Sequence, residues 1–444
     1  MTDPRTADLI ARDIASVWHP FTQHAAWPAD DPTVIDRAEG CYIVDSEGRR
    51  YLDGTSSLWV LVHGHGDPEI DAAVRQQLDR IAHSTFLGLT HEPGIELAER
   101  LLASAPTGAG PRLSKVFYAG DGSSAVEAAL KMAYQAHAQR GETRPFFLHV
   151  REGYHGDTLG SVSVGGIDLF HHTYRPILLQ TLMVDSPGVL RDGQTRSDRA
   201  AEVLAAMAVL LEDRGSEVAA VIIEPMVQAA GGMLTHDASF VSGVRDLCDH
   251  HGALMIADEV ATGIGRTGRM WACEHAGVTP DLLTLGKGVT GGYLPLSAVL
   301  ATNEVYDAFL GAPAEAKTFF HGHTYTANPL ACAAANATLR LVDERGTVAR
   351  AAAIGEHVGA RLSTELKDVA GAKEVRRVGA MIGVEVEPVG VRTGFQICKK
   401  ARAEGVWIRP LDDTVVIMPP LSITDDELDL LLDVTIDAIR AVVG

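Results

Sequence analysis

The sequence has little cysteine, no excess of positive charge and no long hydrophobic run. Its five cysteines in 444 residues include no Cys-x-x-Cys pair, which argues against a disulfide framework or a structural zinc site and favours a reducing cytoplasm. Lysine and arginine total 38 against 58 acidic residues, a net charge of −20, which argues against a nucleic-acid-binding surface. No apolar run approaches the roughly 20 residues of a membrane helix, and the N-terminus is too polar for a signal peptide. The sequence therefore predicts a cytoplasmic protein that binds neither nucleic acid nor membrane.

Histidine is arranged in close pairs along the chain, but the pairs carry no metal-binding motif. None belongs to a His-Glu-x-x-His motif or has a cysteine at ligand spacing, so we expect no metal site. The pairs are His63/His65, His171/His172, His250/His251 and His321/His323.

The middle of the chain, from about residue 115 to 300, alternates short apolar runs with amphipathic helical patterns. This alternation predicts βα units and a mainly parallel sheet, that is, an α/β fold. Segments such as Ser124–Arg140 and Arg199–Glu212 have the helical pattern. The predicted strands are Lys115–Tyr118, Phe146–Val150, Ala219–Ile223, Ala253–Ala257 and Leu282–Leu285.

The two ends of the chain have a different pattern. Residues 34–53 alternate apolar and polar side chains around a Glu-Gly turn, which predicts an antiparallel hairpin. From about residue 337 we expect a long helix, then short strands, then a closing helix from Asp425. The predicted C-terminal strands are Met381–Val386, Val406–Ile408 and Val415–Met418.

These patterns predict two domains. Residues 71–336 would form a large central domain, and residues 1–70 and 337–444 would together build a small α+β domain.

Chemically useful residues follow the predicted strands. Ligands bind beyond the carboxyl ends of the strands in an open α/β sheet, so these residues should meet at one edge. A Gly-Ser loop follows the first strand, and Tyr154, Glu224, Asp258 and Lys287 follow the others. Pyridoxal phosphate needs an anion cradle, a flat group to stack on its ring, an acid at its pyridine nitrogen and a lysine for its Schiff base. The Gly122-Ser123 loop, Tyr154, Asp258 and Lys287 supply these four groups in that order.

Each feature taken alone has a simpler structural explanation. Gly122-Ser123-Ser124 can be a helix N-cap with a tight turn, and a carboxylate at a strand end is as often a cap as a catalytic group. Lys287 between two glycines is harder to explain structurally, since an exposed lysine needs no flanking glycine. A P-loop is disfavoured because Gly288 follows Lys287 where that motif has Ser or Thr.

Gly263, Gly265 and Gly268 have the spacing of a dinucleotide-binding turn, which offers a dehydrogenase as an alternative. Such a turn directly follows its strand and opens a helix. Here Asp258 to Thr262 intervene and no helical pattern follows at once. We therefore expect a compact loop without a phosphate, one that lets Arg266 approach the substrate.

Five segments resemble the class III aminotransferases of the type I pyridoxal-phosphate fold. They are AGDGSSAVEAALKMA, REGYHGDTLGSVSV, ADEVATGIGRTGR, TLGKGVTGGYLPLSAVLA and FFHGHTYTANPLACAAA, and they occur in the family's order over about 220 residues. Further segments (VWHPFTQ, DGTSSLWVLVHGHG, SVGGIDLFHHTYRP and GVWIRPLDDTVVIMPPL) resemble the branch that aminates 8-amino-7-oxononanoate in biotin biosynthesis. The resemblance then covers nearly the whole chain.

The resemblance implies roles for individual residues. Lys287 would form the Schiff base, Asp258 would contact the pyridine nitrogen, and Tyr154 would stack on the ring. The other implied cofactor contacts are Gly122 and Ser123 at the phosphate, His155, Glu224, Val260 on the opposite ring face, and Thr324 reaching the cofactor of a second subunit in a homodimer with shared sites.

The implied substrate contacts are Phe21, Trp59, Tyr154, Asp157, Arg266, Gly322 and Arg409. The Arg409 guanidinium would pair with the substrate carboxylate, although the sequence alone also allows a surface arginine. Trp59 could likewise be a core residue. The reaction would be ping-pong through pyridoxamine phosphate. Other class III ω-aminotransferases, acting on diamines, 4-aminobutyrate or β-alanine, share the cofactor residues and remain an alternative.

The amino donor is the open point of the resemblance. Members that use S-adenosylmethionine have tyrosine at the position of Phe21 and a tryptophan pair at the position of Leu58-Trp59. Phenylalanine has no hydroxyl to donate a hydrogen bond. We therefore lean slightly towards lysine as donor over S-adenosylmethionine.

Overall fold

A computed structural model describes residues 3–444. It contains a seven-stranded sheet, two four-stranded sheets and a two-stranded ribbon. The strands are β1 (Ile35–Glu39), β2 (Tyr42–Asp45), β3 (Arg50–Asp53), β4 (Leu113–Ala119), β5 (Phe146–Val150), β6 (Leu182–Val184), β7 (Val218–Ile223), β8 (Val227–Gln228), β9 (Leu234–Thr235), β10 (Leu254–Asp258), β11 (Leu282–Leu285), β12 (Ser297–Thr302), β13 (Ala372–Val378), β14 (Met381–Val386), β15 (Val406–Trp407), β16 (Arg409–Leu411) and β17 (Thr414–Ile417).

Helices of at least eight residues cover and connect these sheets. They are α1 (Pro4–Ser16), α2 (Pro68–Arg80), α3 (Glu92–Ser104), α4 (Gly122–Gln139), α5 (Arg196–Arg214), α6 (Ala238–His251), α7 (Pro329–Glu344), α8 (Thr347–Glu365), α9 (Thr393–Ala403) and α10 (Asp425–Val443). Among residues 3–444, no helix is both long and apolar enough to cross a bilayer.

The large sheet confirms the predicted α/β fold. Its strand order is β4-β12-β11-β10-β7-β5-β6, and only the pairings of β12 with its two neighbours are antiparallel. Every residue of β7, β10 and β11 is buried, because helices cover both faces of a parallel sheet. All five strands predicted in the middle of the chain are present, two of them with the predicted ends.

The two chain ends meet in one small sheet. Strand β15, from the C-terminal part, pairs in parallel with β3, from the N-terminal hairpin. The remaining C-terminal strands form a separate sheet in the order β13-β14-β17-β16. The division at residues 70/71 and 336/337 stays a prediction, and this pairing of the termini supports it.

Two expectations about the C-terminal part need correction. The long helix expected from residue 337 is a pair, α7 and α8, separated at Gly346, whose φ of +61° is the left-handed conformation that glycine adopts readily. The strand expected over Val406–Ile408 ends at Trp407, and Arg409 begins β16 in the other sheet.

Candidate active site

A cavity of about 180 Å³ lies beyond the carboxyl ends of β4, β5, β7, β10 and β11. This is the edge at which an open α/β sheet binds its ligands. Its lining residues come from the loops that follow these strands and from one N-terminal segment. They are Trp59, Asp121, Gly122, Ser123, Tyr154, His155, Gly156, Glu224, Ala229, Ala230, Asp258, Val260, Ala261 and Lys287.

Lys287 follows β11 by two residues and has a backbone φ of +40°. A residue with a side chain rarely adopts this left-handed conformation, and such strain is concentrated at functional sites. The Lys287 Nζ atom lies 5.6 Å from the centre of the Trp59 ring. Burial lowers the pKa of the Lys287 amine, while the nearby carboxylates of Asp258 and Glu224 oppose that shift. A lowered pKa gives more of the neutral amine, the form that acts as a nucleophile.

Asp258 is the last residue of β10 and its side chain is buried. One carboxylate oxygen accepts hydrogen bonds from the Val260 amide at 3.1 Å and the Thr284 hydroxyl at 3.0 Å. The other oxygen lies 2.7 Å from Nδ1 of His155. These contacts fix the plane of the carboxylate in a site largely closed to water. Such a group can hold a proton on a pyridine nitrogen.

Helix α4 begins at the cavity, and Asp121 is its N-cap. The Asp121 carboxylate accepts a hydrogen bond from the Ser124 amide at 2.9 Å. The Gly122 and Ser123 amides precede the first intrahelical bonds and face the end of the helix where an anion is stabilised. Asp121 therefore provides the cap of this helix, and the anion-binding role of Gly122 and Ser123 stays a prediction.

Glycine is required beside this cradle. A Cβ atom on Gly156 would lie 2.0 Å from Ser123 Oγ and 2.8 Å from Ser123 Cα, and the φ of Gly156 is +119°. A Cβ atom on Gly122 would lie 2.8 Å from Cγ1 of Val260. The space in which a phosphate would lie is thus open only because Gly122 and Gly156 have no Cβ atom.

We expect Gly156→Ala to weaken pyridoxal-phosphate binding by at least about 10-fold, because Ser123 must move away from the added methyl group. Titration of the cofactor-free protein, followed by absorbance, gives the dissociation constant. Gly141→Ala is the matched control, since Gly141 also has a positive φ of +82° but nothing lies within 4 Å of its added Cβ. If both substitutions weakened cofactor binding equally, backbone strain would explain the loss and the contact with Ser123 would not.

Tyr154 and Glu224 form the wall between β5 and β7. The Tyr154 hydroxyl donates to the Asp157 carboxylate at 2.8 Å, and the Tyr154 amide donates to the Glu224 carboxylate at 3.0 Å. The second Glu224 oxygen accepts from the Ala229 amide at 3.0 Å. Burial raises the pKa of Glu224 to about 7 and also raises that of the Tyr154 hydroxyl. Both shifts favour the protonated forms of these two groups.

Several sequence-predicted residues lie outside the cavity. Arg266 is buried, and its guanidinium donates to the carbonyl oxygens of Pro419 at 2.6 Å and Leu61 at 2.8 Å. It therefore anchors the glycine loop to the N- and C-terminal parts of the chain, and no part of it lines the cavity. Five other predicted residues are exposed to solvent: Phe21, Asp157, Gly322, Thr324 and Arg409.

The glycines of the apparent dinucleotide turn bind no phosphate in this arrangement. The Gly263 amide donates to the Glu259 carbonyl at 3.0 Å, Gly265 to Met270 at 3.1 Å, and Gly268 to Gly265 at 2.9 Å. All three N–H groups are therefore used inside the loop. No helix opens at this loop, so the dehydrogenase alternative fails on geometry.

A separate group of metal-ligating side chains lies at the ends of α5 and α6. Glu212, His250 and His251 bring ligand atoms within 4.8 Å of one another, with two of the three residues exposed. The group belongs to neither the cavity nor the loops around it, and the expectation that the enzyme needs no metal stays a prediction.

The chain is similar to known proteins along most of its length. The family model for aminotransferase class-III matches residues 25–439. The chain belongs to this family. It is 48% identical, over 99% of its length and 82% of the relative's, to the adenosylmethionine-8-amino-7-oxononanoate aminotransferase of Nitratidesulfovibrio vulgaris.

Solved structures of class III enzymes agree with this assignment. The crystal structure of adenosylmethionine-8-amino-7-oxononanoate aminotransferase from Methanocaldococcus jannaschii superimposes with a TM-score of 0.92 at 38% identity, covering 98% of this chain and 99% of that one. A pyridoxal-phosphate-bound amine transaminase from an uncultivated Pseudomonas species gives a TM-score of 0.89 at 35% identity, covering 97% and 99%. The fold is therefore that of the pyridoxal-phosphate aminotransferases.

Proposed function

We propose that this class III aminotransferase converts 8-amino-7-oxononanoate to 7,8-diaminononanoate in biotin biosynthesis. The observation that carries the proposal is the near-complete likeness to relatives named for this reaction, together with a cavity that contains Lys287, Asp258 and the Gly122-Ser123 cradle. The reaction is ping-pong: a donor leaves its amino group on the enzyme, and the ketone of the acceptor then takes it up.

The residues around the cavity fit pyridoxal phosphate. Lys287 would hold the cofactor covalently, Asp258 would bind its pyridine nitrogen, and the Gly122 and Ser123 amides would bind its phosphate. Tyr154 and Val260 line the cavity together with these groups, and they would cover the two faces of the ring. His155 would act through Asp258, to which it is already hydrogen bonded.

When bound, the cofactor supplies an electrophilic carbon for the amine and a ring that absorbs the electron pair of the breaking Cα–H bond. Asp258 keeps the ring protonated, because its buried carboxylate stabilises a positive charge at the pyridine nitrogen. The Lys287 amine, once free, would move the proton that leaves Cα, and burial, which lowers its pKa, favours the neutral form that accepts a proton. Trp59 and Tyr154 exclude water from the amine.

Substrate recognition is proposed for Trp59, which lines the cavity, and for several residues outside its lining. Arg409, which is exposed, would bind the carboxylate of 8-amino-7-oxononanoate through a bidentate contact. Asp157, Phe21 and Trp59 would contact the remainder of the substrate. Arg266 would act indirectly, since carbonyl groups occupy its guanidinium.

A homodimer with shared sites is part of the proposal. Gly322 and Thr324 lie in an exposed segment with Phe320 and Tyr325, whose side chains are 77% and 65% exposed. Exposed aromatic side chains at this density are typical of a subunit interface. Thr324 from a second copy would then reach the phosphate, and Gly322 would line that copy's substrate site. A cytoplasmic location is proposed as well, and the five cysteines are free thiols.

Steady-state assays with 8-amino-7-oxononanoate and either lysine or S-adenosylmethionine test the function and the donor together. The proposal expects 7,8-diaminononanoate by mass spectrometry with at least one donor. Failure with both, alongside turnover of 4-aminobutyrate, β-alanine or a diamine, would assign the enzyme to the ω-aminotransferases.

The donor has a separate test at Phe21. If its ring lies at the donor site, Phe21→Tyr should shift the ratio of kcat/KM for S-adenosylmethionine over lysine by about 10-fold, the effect of one added hydrogen bond. The KM for 8-amino-7-oxononanoate should change by less than about 3-fold. Phe395→Tyr on α9 is the control. Equal effects on both half-reactions would contradict a donor-site role for Phe21.

A further inference from the structure

Four aromatic side chains form a continuous row that includes Tyr154 in the cavity wall. The Phe21 and Phe170 rings meet edge to face, with centres 5.3 Å apart and an interplanar angle of 72°. Phe170 also meets Tyr154 edge to face at 6.3 Å and 82°. His171 lies nearly parallel to Tyr154 at 6.4 Å and 10°. Phe170 is thus the ring that joins the N-terminal segment to the cavity wall.

The backbone around Phe170 holds this ring in place. The Gly166 amide donates to the Gly153 carbonyl at 2.8 Å, and the Glu152 amide donates to the Gly166 carbonyl at 3.2 Å. A Cβ atom on Gly166 would lie 2.7 Å from Cα of Arg151. The segment before Phe170 is therefore bound directly to the loop that carries Tyr154.

Phe21 is held much less firmly by its own surroundings. Its side chain is 59% exposed, and its backbone φ is +49°, a strained value for an aromatic residue. Among residues 3–444, the aromatic contact of Phe21 is with Phe170. Edge-to-face pairs stabilise beyond simple apolar burial. Removal of the Phe170 ring should therefore leave Phe21 without its aromatic contact, while the backbone hydrogen bonds of the Tyr154 loop stay in place.

We propose that Phe170 is a specificity-determining residue, which links Phe21 to Tyr154 and so completes an apolar wall for the hydrocarbon chain of the substrate. This inference rests on the proposed function. The chain between the ketone and the carboxylate of 8-amino-7-oxononanoate is a run of methylene groups, and burying each one favours binding. Phe21 and Phe170, which do not line the cavity, contribute affinity without touching the reacting atoms, whereas Tyr154 would also cover the cofactor ring. Phe170 therefore affects KM and leaves the chemical step unchanged.

The test compares Phe170→Ala, Phe170→Tyr and Leu169→Ala in the holoenzyme. At saturating donor, Phe170→Ala should raise the KM for 8-amino-7-oxononanoate by about 10-fold or more, with kcat within about 3-fold. Phe170→Tyr keeps the ring and should stay near the wild type. Leu169 is adjacent and 83% exposed, so Leu169→Ala should change neither constant. An unchanged KM in Phe170→Ala, or a fall in kcat that accounts for the whole loss, would overturn the proposal.

Hydrogen exchange gives a readout that needs no substrate. The amides of residues 17–24 should exchange faster in Phe170→Ala than in Leu169→Ala, because the N-terminal segment loses its anchor. Equal exchange in the two variants would overturn the proposed anchoring. An enzyme without activity on 8-amino-7-oxononanoate, but with faster exchange only in Phe170→Ala, would contradict the proposed function and keep the anchoring role of Phe170.

Discussion

Lys287→Ala is expected to lower kcat for transamination by about 10⁴-fold or more, equivalent to about 5.5 kcal/mol of lost transition-state stabilisation. The amine holds the cofactor and moves the Cα proton, and no other lysine lines the cavity. The lowered pKa of Lys287 favours the neutral amine, which both roles require. The loss should therefore exceed that of any other single substitution in the site.

Borohydride reduction and mass spectrometry locate the attachment. Reduction of the wild-type holoenzyme should fix the cofactor on the peptide that contains Lys287, and Lys287→Ala should carry no such modification. Lys400→Ala is the matched control, since Lys400 is exposed on α9. Cofactor fixed at another lysine in the wild type would contradict the assignment.

Asp258→Asn is expected to lower kcat by about 10³-fold, or about 4 kcal/mol, with the fold intact. An asparagine oxygen can still accept from the Val260 amide and the Thr284 hydroxyl. Its amide nitrogen would face Nδ1 of His155, which then has to accept a hydrogen bond. The proton would move to His155 Nε2, a buried atom without a hydrogen-bond partner among residues 3–444. The substitution thus removes the charge that keeps a pyridine nitrogen protonated.

Single-turnover absorbance measurements separate this effect from a binding defect. Asp258→Asn should take up pyridoxal phosphate yet react with the donor far more slowly than the wild type. Asp246→Asn, an exposed aspartate on α6, should match the wild type. A variant that reacts at the wild-type rate would show that the ring needs no carboxylate at this position.

Much of the fold and part of the site followed from the sequence. The buried strands are continuous apolar runs, and each is followed by polar or glycine residues, so both the sheet and its ligand-binding edge could be predicted. Lys287 and Asp258 lie 29 positions apart in the sequence but follow adjacent parallel strands, as the pairing of Asp258 with Thr284 shows. Their closeness is a consequence of strand order.

The supporting contacts could not be predicted in the same way. Thr284 reaches Asp258 only because of the register between β10 and β11, which hydrophobic pattern does not specify. Arg266 bonds to carbonyl groups of Leu61 and Pro419, 205 and 153 positions away. Glu259 directly follows Asp258, but its buried carboxylate accepts from the Ala272 and Cys273 amides at 2.8 Å and so holds the glycine loop. Such long-range hydrogen bonds leave no local pattern in the sequence.

The central claim is that the enzyme aminates 8-amino-7-oxononanoate at the Lys287 site. The most direct test measures this half-reaction alone and needs no amino donor. The enzyme is loaded with pyridoxamine phosphate, mixed with 8-amino-7-oxononanoate alone, and the product is counted by mass spectrometry. The account predicts one molecule of 7,8-diaminononanoate per active site, with return of the aldehyde absorbance. No product from this acceptor, with a full turnover from succinic or malonic semialdehyde, would contradict it.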